Sequence, residues 1–440
     1  MKHLINFLYN SRFHLLIIAF GIAWMGILNG LLQLSDQTFI YPDSFSYFDA
    51  ATDLFVKLRG HCYRPIGMAF ISGLPYVFGA EGTAIFGWSF YVNVACWLGS
   101  AVLIFTMLKQ QIATNLAFLF ALVFLLCVGP ASICFHLLTE NSYTFLMLLF
   151  LFFWDRYQNS KRYLFLSIGL SVLLFSMLVK PGSKFLAVLV LVYTIKIIYQ
   201  HRKSKSTWII YGAMALIALQ LMGMKAQFGN ATLSYIDGIT YHNYLCTKAV
   251  CYHEDVPYHQ MNNERAAYLH QFSLPERKVI AAADFKQQLT HNTLNFFKAY
   301  CSNVWDNTIS GSPYIQDCEN RNQTTYFEGS KSFLFSVSKW QNRFFTSIGL
   351  ILALYTIVRY KHARKTAVMT SVVLFYTVVL SGVSCSQGDR FHLVIYPFAI
   401  LLLGQWILLW RKKKRLIKRF SELLQIFFGL HISGFSTGTS

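Results

Sequence analysis

Apolar runs of roughly membrane length alternate with short polar connections along most of the chain. A helix needs about 20 residues to cross a hydrocarbon layer of about 30 Å. The pattern therefore predicts about ten membrane helices, several of them somewhat short. They are expected near residues 14–34, 84–107, 114–131, 137–154, 163–179, 185–199, 207–224, 345–358, 366–381 and 391–410.

The basic residues fix the orientation of these predicted helices. If the N-terminus is cytoplasmic, the Lys- and Arg-containing connections at Lys109, 156–162, 202–205 and 359–365 all fall on the cytoplasmic side, as does the tail 411–440. An excess of Lys and Arg in cytoplasmic connections is the usual pattern of membrane proteins. Both termini are therefore expected in the cytoplasm.

Composition agrees with a membrane protein. The chain is 55% hydrophobic and only 13% charged, and its mean hydropathy is +0.42. A formal net charge of +19 raises the question of nucleic acid. Because the cations follow the topology instead of forming one basic patch, we expect a lipid bilayer as the partner and no nucleic acid.

The predicted fold class is an all-α polytopic membrane protein with one large extracytoplasmic loop. Residues 1–224 are expected to form an N-terminal transmembrane module that contains a first outer loop, 35–82. Residues 225–344 are expected to form the large outer subdomain, 345–410 the C-terminal membrane helices, and 411–440 a basic cytoplasmic tail.

The first outer loop contains two short apolar segments. Residues 43–57 have apolar side chains at helical spacing along one face, which predicts a helix lying on a membrane or protein surface. Residues 66–78 are apolar but interrupted by Gly67, Gly73 and Pro75. Counting them as a full span would reverse every later connection, so we interpret this stretch as re-entrant or interfacial.

Cysteines expected to face outward suggest disulfides in an oxidising compartment. The sequence leaves their pairing open. These cysteines are Cys62, Cys246, Cys251, Cys301, Cys318 and Cys385. One arrangement that would pair all six is Cys246 with Cys251, Cys301 with Cys318, and Cys62 with Cys385.

Ionisable residues at the outer ends of the predicted helices are the candidate site. Such groups are costly near a membrane unless they face a cavity or a partner. Two carboxylates, Asp43 and Glu140, and three cations, Arg64, Lys180 and Arg390, fall at this one depth. Cations of this kind can hold a phosphate while a carboxylate acts as general base.

The order of these segments resembles the GT-C superfamily of membrane glycosyltransferases, which use polyprenyl-phosphate sugars. Pro42 to Tyr47 resembles the family's first acidic motif, and Arg64-Pro65 its continuation. Leu138 to Glu140 is similar to a later acidic helix start. Leu178 to Pro181 resembles a basic-Pro signature, and Asp389 to Pro397 an Arg-aromatic-Pro pattern. The resemblance covers about the first 200 residues and the last 60, and it leaves the large loop unassigned.

This resemblance implies a role for each candidate. Asp43 would be the catalytic base, Glu140 would orient the acceptor or a cation, and Lys180, Arg390 and Arg64 would hold the donor phosphate. Many members carry a second acid where this chain has Ser44, so a divalent cation is left open and no cofactor is assigned.

The implied substrate is a polyprenyl-phosphate sugar, and the implied acceptor is a cell-surface glycan or lipopolysaccharide O-antigen. The implied location is the bacterial inner membrane, as for serotype-specific O-antigen glucosyltransferases. Sequons at Asn230 and Asn322 keep a relative of the endoplasmic reticulum protein mannosyltransferases open.

Three other function classes remain as alternatives. An O-antigen polymerase or ligase would share the multi-span build, but it would be expected to carry its key arginines near the large loop. A lipid-linked glycan transporter would be expected to carry charges near the bilayer midplane. A membrane acyltransferase would use a histidine beside an acid, and His136 with Glu140 has that spacing.

Overall fold

The computed structural model describes residues 2–37, 41–82, 84–260, 263–359, 361, 363–385 and 387–410. Every regular element within these ranges is helical, and they contain no strand. The all-α class predicted from the sequence is therefore confirmed. The basic tail 411–440 lies outside the described residues.

The helices are numbered α1 to α19 in chain order. Their bounds are α1 Lys2–Leu32, α2 Pro42–Phe55, α3 Ile66–Gly73, α4 Ala84–Leu108, α5 Thr114–Leu125, α6 Val128–Ser132, α7 Glu140–Ser160, α8 Tyr163–Val179, α9 Lys184–Gln200, α10 Thr207–Phe228, α11 Ile236–Thr240, α12 Thr247–His253, α13 Glu264–His270, α14 Leu274–His291, α15 Thr293–Ile309, α16 Pro313–Gln316, α17 Phe327–Val358, α18 Lys365–Ser381 and α19 Ile395–Trp410. A π-helical turn, Tyr241–Cys246, joins α11 to α12.

Several of these helices are long and apolar enough to cross a membrane. Among the described residues, four stretches meet both criteria: Ser11–Leu32, Ala84–Leu108, Pro181–Gln200 and Thr207–Phe228. Thr114–Leu125 and Val128–Phe135 meet them together, as a pair bent by 61°. The shorter apolar helices include α8, α18 and α19, so the count of about ten spans stays a prediction.

Outward faces of these helices are apolar, as on α9. Phe185, Val192 and Tyr193 on α9 are each more than 60% exposed. A helix at the surface of a soluble protein turns polar residues outward instead. Contiguous apolar faces of this kind require apolar surroundings, which a bilayer supplies.

The boundary predicted between residues 344 and 345 lies within one helix. The predicted span 345–358 is only the second half of α17, which is one continuous helix of 32 residues. Charged residues before position 345, such as Lys339 and Arg343, masked that continuity in the hydropathy pattern. The expected boundary at 344 therefore falls inside a helix.

The two short apolar segments of the first outer loop are helical. The predicted helix at 43–57 corresponds to α2. Residues 66–73 form α3, which at 8 residues is about 12 Å long and too short to cross a bilayer. α3 packs between α2 and α8. Its close approach to α8 depends on Gly67, because a Cβ there would lie 2.6 Å from the carbonyl oxygen of Leu178.

Gly67→Ala is expected to destabilise the protein by about 1–3 kcal/mol, since the added methyl group must push α3 away from the α8 backbone. Thermal unfolding of the purified protein in detergent measures the effect. Gly87→Ala on α4 is the control, because a Cβ at position 87 meets open space. Equal midpoints for the two variants would show that the contact between α3 and α8 is not tight.

The predicted disulfides do not form. All nine cysteines lie among the described residues, and none of them is in a disulfide. Cys246 and Cys251 lie on consecutive helical turns five residues apart, so their side chains leave the helix in different directions. Cys385 is buried and donates a hydrogen bond to the Tyr258 hydroxyl (3.3 Å).

Candidate active site

Five elements converge at one end of the helix bundle. Asp43 lies in the first turn of α2, Arg64 in the connection before α3, and Glu140 at the first residue of α7. Lys180 follows the last residue of α8, and Arg390 lies in the turn before α19. The structure thus brings together all five candidates taken from the sequence. We call these five residues the ionic cluster.

Arg390 is the centre of the ionic cluster. Its Nη1 atom lies 2.5 Å from Oδ2 of Asp43, and its Nε atom lies 2.6 Å from Oε1 of Glu140. The guanidinium therefore bridges two carboxylates that are 97 residues apart in sequence. The side chain of Arg390 is only 9% exposed, so both contacts are made in a poorly hydrated environment.

The other two cations each contact one of these carboxylates. Nη2 of Arg64 lies 2.7 Å from Oδ1 of Asp43, and Nζ of Lys180 lies 3.2 Å from Oε1 of Glu140. The charges therefore alternate in the order Arg64, Asp43, Arg390, Glu140, Lys180. Charge-assisted hydrogen bonds of this type are stronger than neutral ones.

The ionic cluster carries one net positive charge, because three cations face two carboxylates. Burial decreases from Glu140, at 1% side-chain exposure, to Lys180 at 17% and Asp43 at 33%. An uncompensated buried charge is costly. The arrangement therefore favours a single added negative charge, approaching from the side of Asp43.

The two arginines set the proton affinity of Asp43. Burial alone raises the pKa of this carboxyl, but Arg390 and Arg64 outweigh burial and hold the pKa well below its usual range. Asp43 is therefore ionised at neutral pH. It is a weak proton acceptor for as long as both guanidinium groups remain on it.

Aromatic rings enclose the cations. The Arg64 guanidinium lies 4.2 Å from the centre of the Tyr47 ring, and the Arg390 guanidinium lies 5.2 Å from that of Tyr41. These distances are within the range of cation–π attraction. The Tyr314 ring is 4.7 Å from the Tyr41 ring. Tyr314 comes from the large loop, and no local sequence signal marks it.

The segment before Asp43 is held by the large loop. The side chain of Gln37 donates to the carbonyl oxygen of Glu319 (3.0 Å) and accepts from its amide (2.6 Å). On the other side of Asp43, Ser46 Oγ accepts a hydrogen bond of 2.5 Å from Nε of Arg64. The position of the acid thus depends on distant parts of the chain.

Other ionisable residues near the predicted site have separate partners. Lys184 forms an ion pair with Asp237. The two ring nitrogens of His392 contact Thr346 Oγ1 (3.1 Å) and Ser381 Oγ (2.9 Å). These contacts are structural, and neither residue belongs to the ionic cluster.

Two histidines near the ionic cluster, His136 and His61, also have defined contacts. The His136 ring packs against the Tyr314 ring at an angle of 32° with ring centres 5.0 Å apart, while Oε1 of Glu140 is bound by Arg390 and Lys180. His61 accepts the backbone N–H groups of Tyr63 and Arg64 at Nδ1 (3.2 Å each) and so shapes the turn that presents Arg64.

The donor set does not fit a divalent cation. Within the described ranges, no three His, Cys, Asp or Glu side chains come together closely enough to hold a metal ion. In the ionic cluster, Arg390 occupies the position between the two carboxylates that a bridging ion would need. The positive charges of this site belong to the chain itself.

Comparison with protein-family models, with curated proteins and with solved structures finds no match.

Proposed function

We propose that this protein is a membrane glycosyltransferase of the GT-C type. It moves a sugar from a polyprenyl-phosphate donor to a cell-surface glycan or lipopolysaccharide O-antigen acceptor on the extracytoplasmic side. The observation that carries the proposal is the ionic cluster itself. Residues from separate local motifs form one connected group of three cations and two carboxylates, in which Glu140 and Arg390 are buried.

In the proposed reaction, an acceptor hydroxyl oxygen attacks the anomeric carbon of the donor sugar. The bond between that carbon and the phosphate oxygen breaks, and the electron pair stays on the polyprenyl phosphate. Asp43 takes the hydroxyl proton as general base. Lys180, Arg390 and Arg64 stabilise the charge that develops on the leaving phosphate.

The resting ion pairs give this reaction an order of events. Arg64 and Arg390 are engaged with Asp43 before a donor binds. A donor phosphate competes with the carboxylate for the same N–H donors. As the guanidinium groups turn to the phosphate, the pKa of Asp43 rises from its depressed value, so the base gains proton affinity once the donor is in place.

Glu140 has a different role from Asp43 in this proposal. Its Oε1 atom is held by Arg390 and Lys180, and its Oε2 atom has no hydrogen-bond partner among the described residues. A buried carboxylate oxygen of this kind is satisfied by a hydroxyl donor. We assign Glu140 to holding the two cations and orienting a hydroxyl of the substrate.

The single net positive charge distinguishes donor classes. A polyprenyl-phosphate sugar is a phosphodiester with one negative charge, which neutralises the ionic cluster. A diphosphate-linked donor of an O-antigen polymerase or ligase carries more negative charge and would leave an excess in a poorly hydrated site.

The purified protein is therefore expected to release sugar from radiolabelled polyprenyl-phosphate glucose, mannose or aminoarabinose in the presence of an outer-membrane glycan extract. It is expected to leave a polyprenyl-diphosphate glycan intact. Consumption of the diphosphate donor alone would support the polymerase or ligase alternative. Lipid-linked glycan crossing vesicles with no covalent change would support the transporter alternative.

The same proposal includes a topology. The ten helices α1, α4, α5, α7, α8, α9, α10, α17, α18 and α19 would span the bacterial inner membrane, with both termini in the cytoplasm. Every residue of the ionic cluster then lies at an outer helix end. The positive-inside pattern of the connections supports this orientation.

A further inference from the structure

Helix α15 of the large loop is hydrogen-bonded to the C-terminal end of α18. Nδ2 of Asn303 donates to the carbonyl oxygen of Gly382 (3.1 Å), and Nδ2 of Asn307 donates to that of Ser381 (2.9 Å). Both asparagine side chains are completely buried. One face of α15 is therefore used to satisfy the C-terminal carbonyl groups of α18.

The opposite face of α15 is apolar and uncovered. Leu294 is 83% exposed, Phe297 53% and Trp305 64%, and Cys301 is also exposed. At 3.6 residues per turn, these four positions form a narrow stripe on the side away from Asn303. Exposure of such an apolar stripe to water is unfavourable, which indicates that this face binds an apolar partner.

The depth of α15 follows from its contacts. Ser381, which accepts from Asn307 through its carbonyl, also contacts Nε2 of His392 through its hydroxyl (2.9 Å). His392 is two residues beyond Arg390. The C-terminal half of α15 therefore lies close to the ionic cluster, which is at the outer membrane surface in the proposed topology.

We propose that the stripe formed by Leu294, Phe297, Cys301 and Trp305 inserts into the headgroup and acyl boundary of the outer leaflet. The partner of this face is thus the phospholipid surface. The proposal rests on the membrane placement given above and not on the sugar-transfer chemistry. Tryptophan is enriched at this boundary, because its ring is apolar and its N–H can reach polar groups.

The flank of the stripe suits a phospholipid. Lys298 is exposed beside it, with its ammonium 4.6 Å from the centre of the Tyr252 ring. A cation next to an apolar stripe can reach a lipid phosphate while the stripe is buried. A second copy of the chain is a poorer partner, since four side chains are far fewer than the roughly 20–30 residues a side of a stable interface.

In this proposal the large loop, residues 225–344, contacts the membrane as well as water. Through α15 it contacts the bilayer with one face and the end of α18 with the other. It would hold Tyr314 and the segments near Asp43 at a fixed height over the membrane. An amphipathic helix at this boundary buries its apolar face about 5–10 Å deep.

Cys301 offers a direct test, because it is the exposed one among the nine cysteines. The full-length protein is labelled there with a maleimide fluorophore and reconstituted into phosphatidylcholine and phosphatidylglycerol vesicles. Brominated lipid then reports contact with acyl chains, and aqueous iodide reports contact with water. The matched control carries Cys301→Ser and Glu254→Cys, since Glu254 is exposed elsewhere on the loop.

Brominated lipid is expected to quench the label at position 301 about threefold more than the label at position 254, with the reverse order for iodide, if the stripe is inserted to the usual depth. A variant that carries Leu294→Ser and Trp305→Ser and is labelled at Cys301 is expected to show less quenching by brominated lipid than the protein without these two substitutions. Equal quenching at the two positions would overturn the proposal.

Energy transfer between labelled copies that rises with protein density, without lipid quenching, would also overturn it in favour of a protein contact. Lipid quenching at position 301 in a protein that consumes no sugar donor would uphold this inference and reject only the proposed reaction. The two proposals can therefore fail separately.

Discussion

Asp43→Asn is expected to lower the turnover rate of sugar transfer by about 10²- to 10⁴-fold, the usual contribution of a general base. Asparagine has nearly the shape of aspartate, but it cannot accept the proton of the acceptor hydroxyl. It also frees Arg64 and Arg390 from their carboxylate partner. The KM for the donor is therefore expected to stay level or fall while kcat falls. Steady-state assays at varied donor concentration separate the two.

Asp49→Asn is the matched control, because Asp49 lies on the same helix α2 and is exposed. Surface substitutions of this kind usually change stability by less than about 0.5 kcal/mol. We expect the control to transfer sugar at the wild-type rate. An Asp43→Asn protein that keeps its fold and a comparable kcat would remove Asp43 from the role of base.

Arg390→Met is expected to have the largest effect on stability, about 3–5 kcal/mol, because it leaves Glu140 and Asp43 without the cation that bridges them. Methionine approximates the length of the side chain but has no charge. Thermal unfolding of the purified protein in detergent measures the loss. Arg359→Met is the control, since Arg359 directly follows the last residue of α17 and is exposed.

A double variant identifies the cause of that loss. If uncompensated charge is responsible, Arg390→Met combined with Glu140→Gln should be more stable than Arg390→Met alone. If lost packing is responsible, the double variant should be no better than the single one. That result would contradict the electrostatic account of the ionic cluster. Sugar transfer should be lost in both variants, because the donor phosphate has lost its central cation.

Part of this site was predictable from the sequence because each candidate has a local signature. Asp43 comes after the first apolar run and directly follows a proline. Lys180 lies between an apolar run and a proline, and Arg390 precedes the last apolar run before the basic tail. Ionisable residues in such positions are costly unless they are used. Their common depth also follows from the topology.

The partners within the site were not predictable. Asp43 and Arg390 are 347 residues apart in the chain, and Glu140 and Arg390 are 250 apart. No local pattern shows that one guanidinium bridges both acids. Tyr314 was missed for the same reason, since it reaches Tyr41 only after the large loop has folded back.

The sequence by itself determined the all-α class, the apolar helices and the ionisable residues that fall at or near helix ends. It could do so because helix periodicity and the preference of side chains for lipid or water are properties of neighbouring residues. It left the pairing of the cysteines open, and its hydropathy pattern placed a boundary at residue 344, inside the continuous helix α17. The tertiary structure decided those features and the bridging by Arg390, because they depend on how distant helices pack and which buried charges then meet.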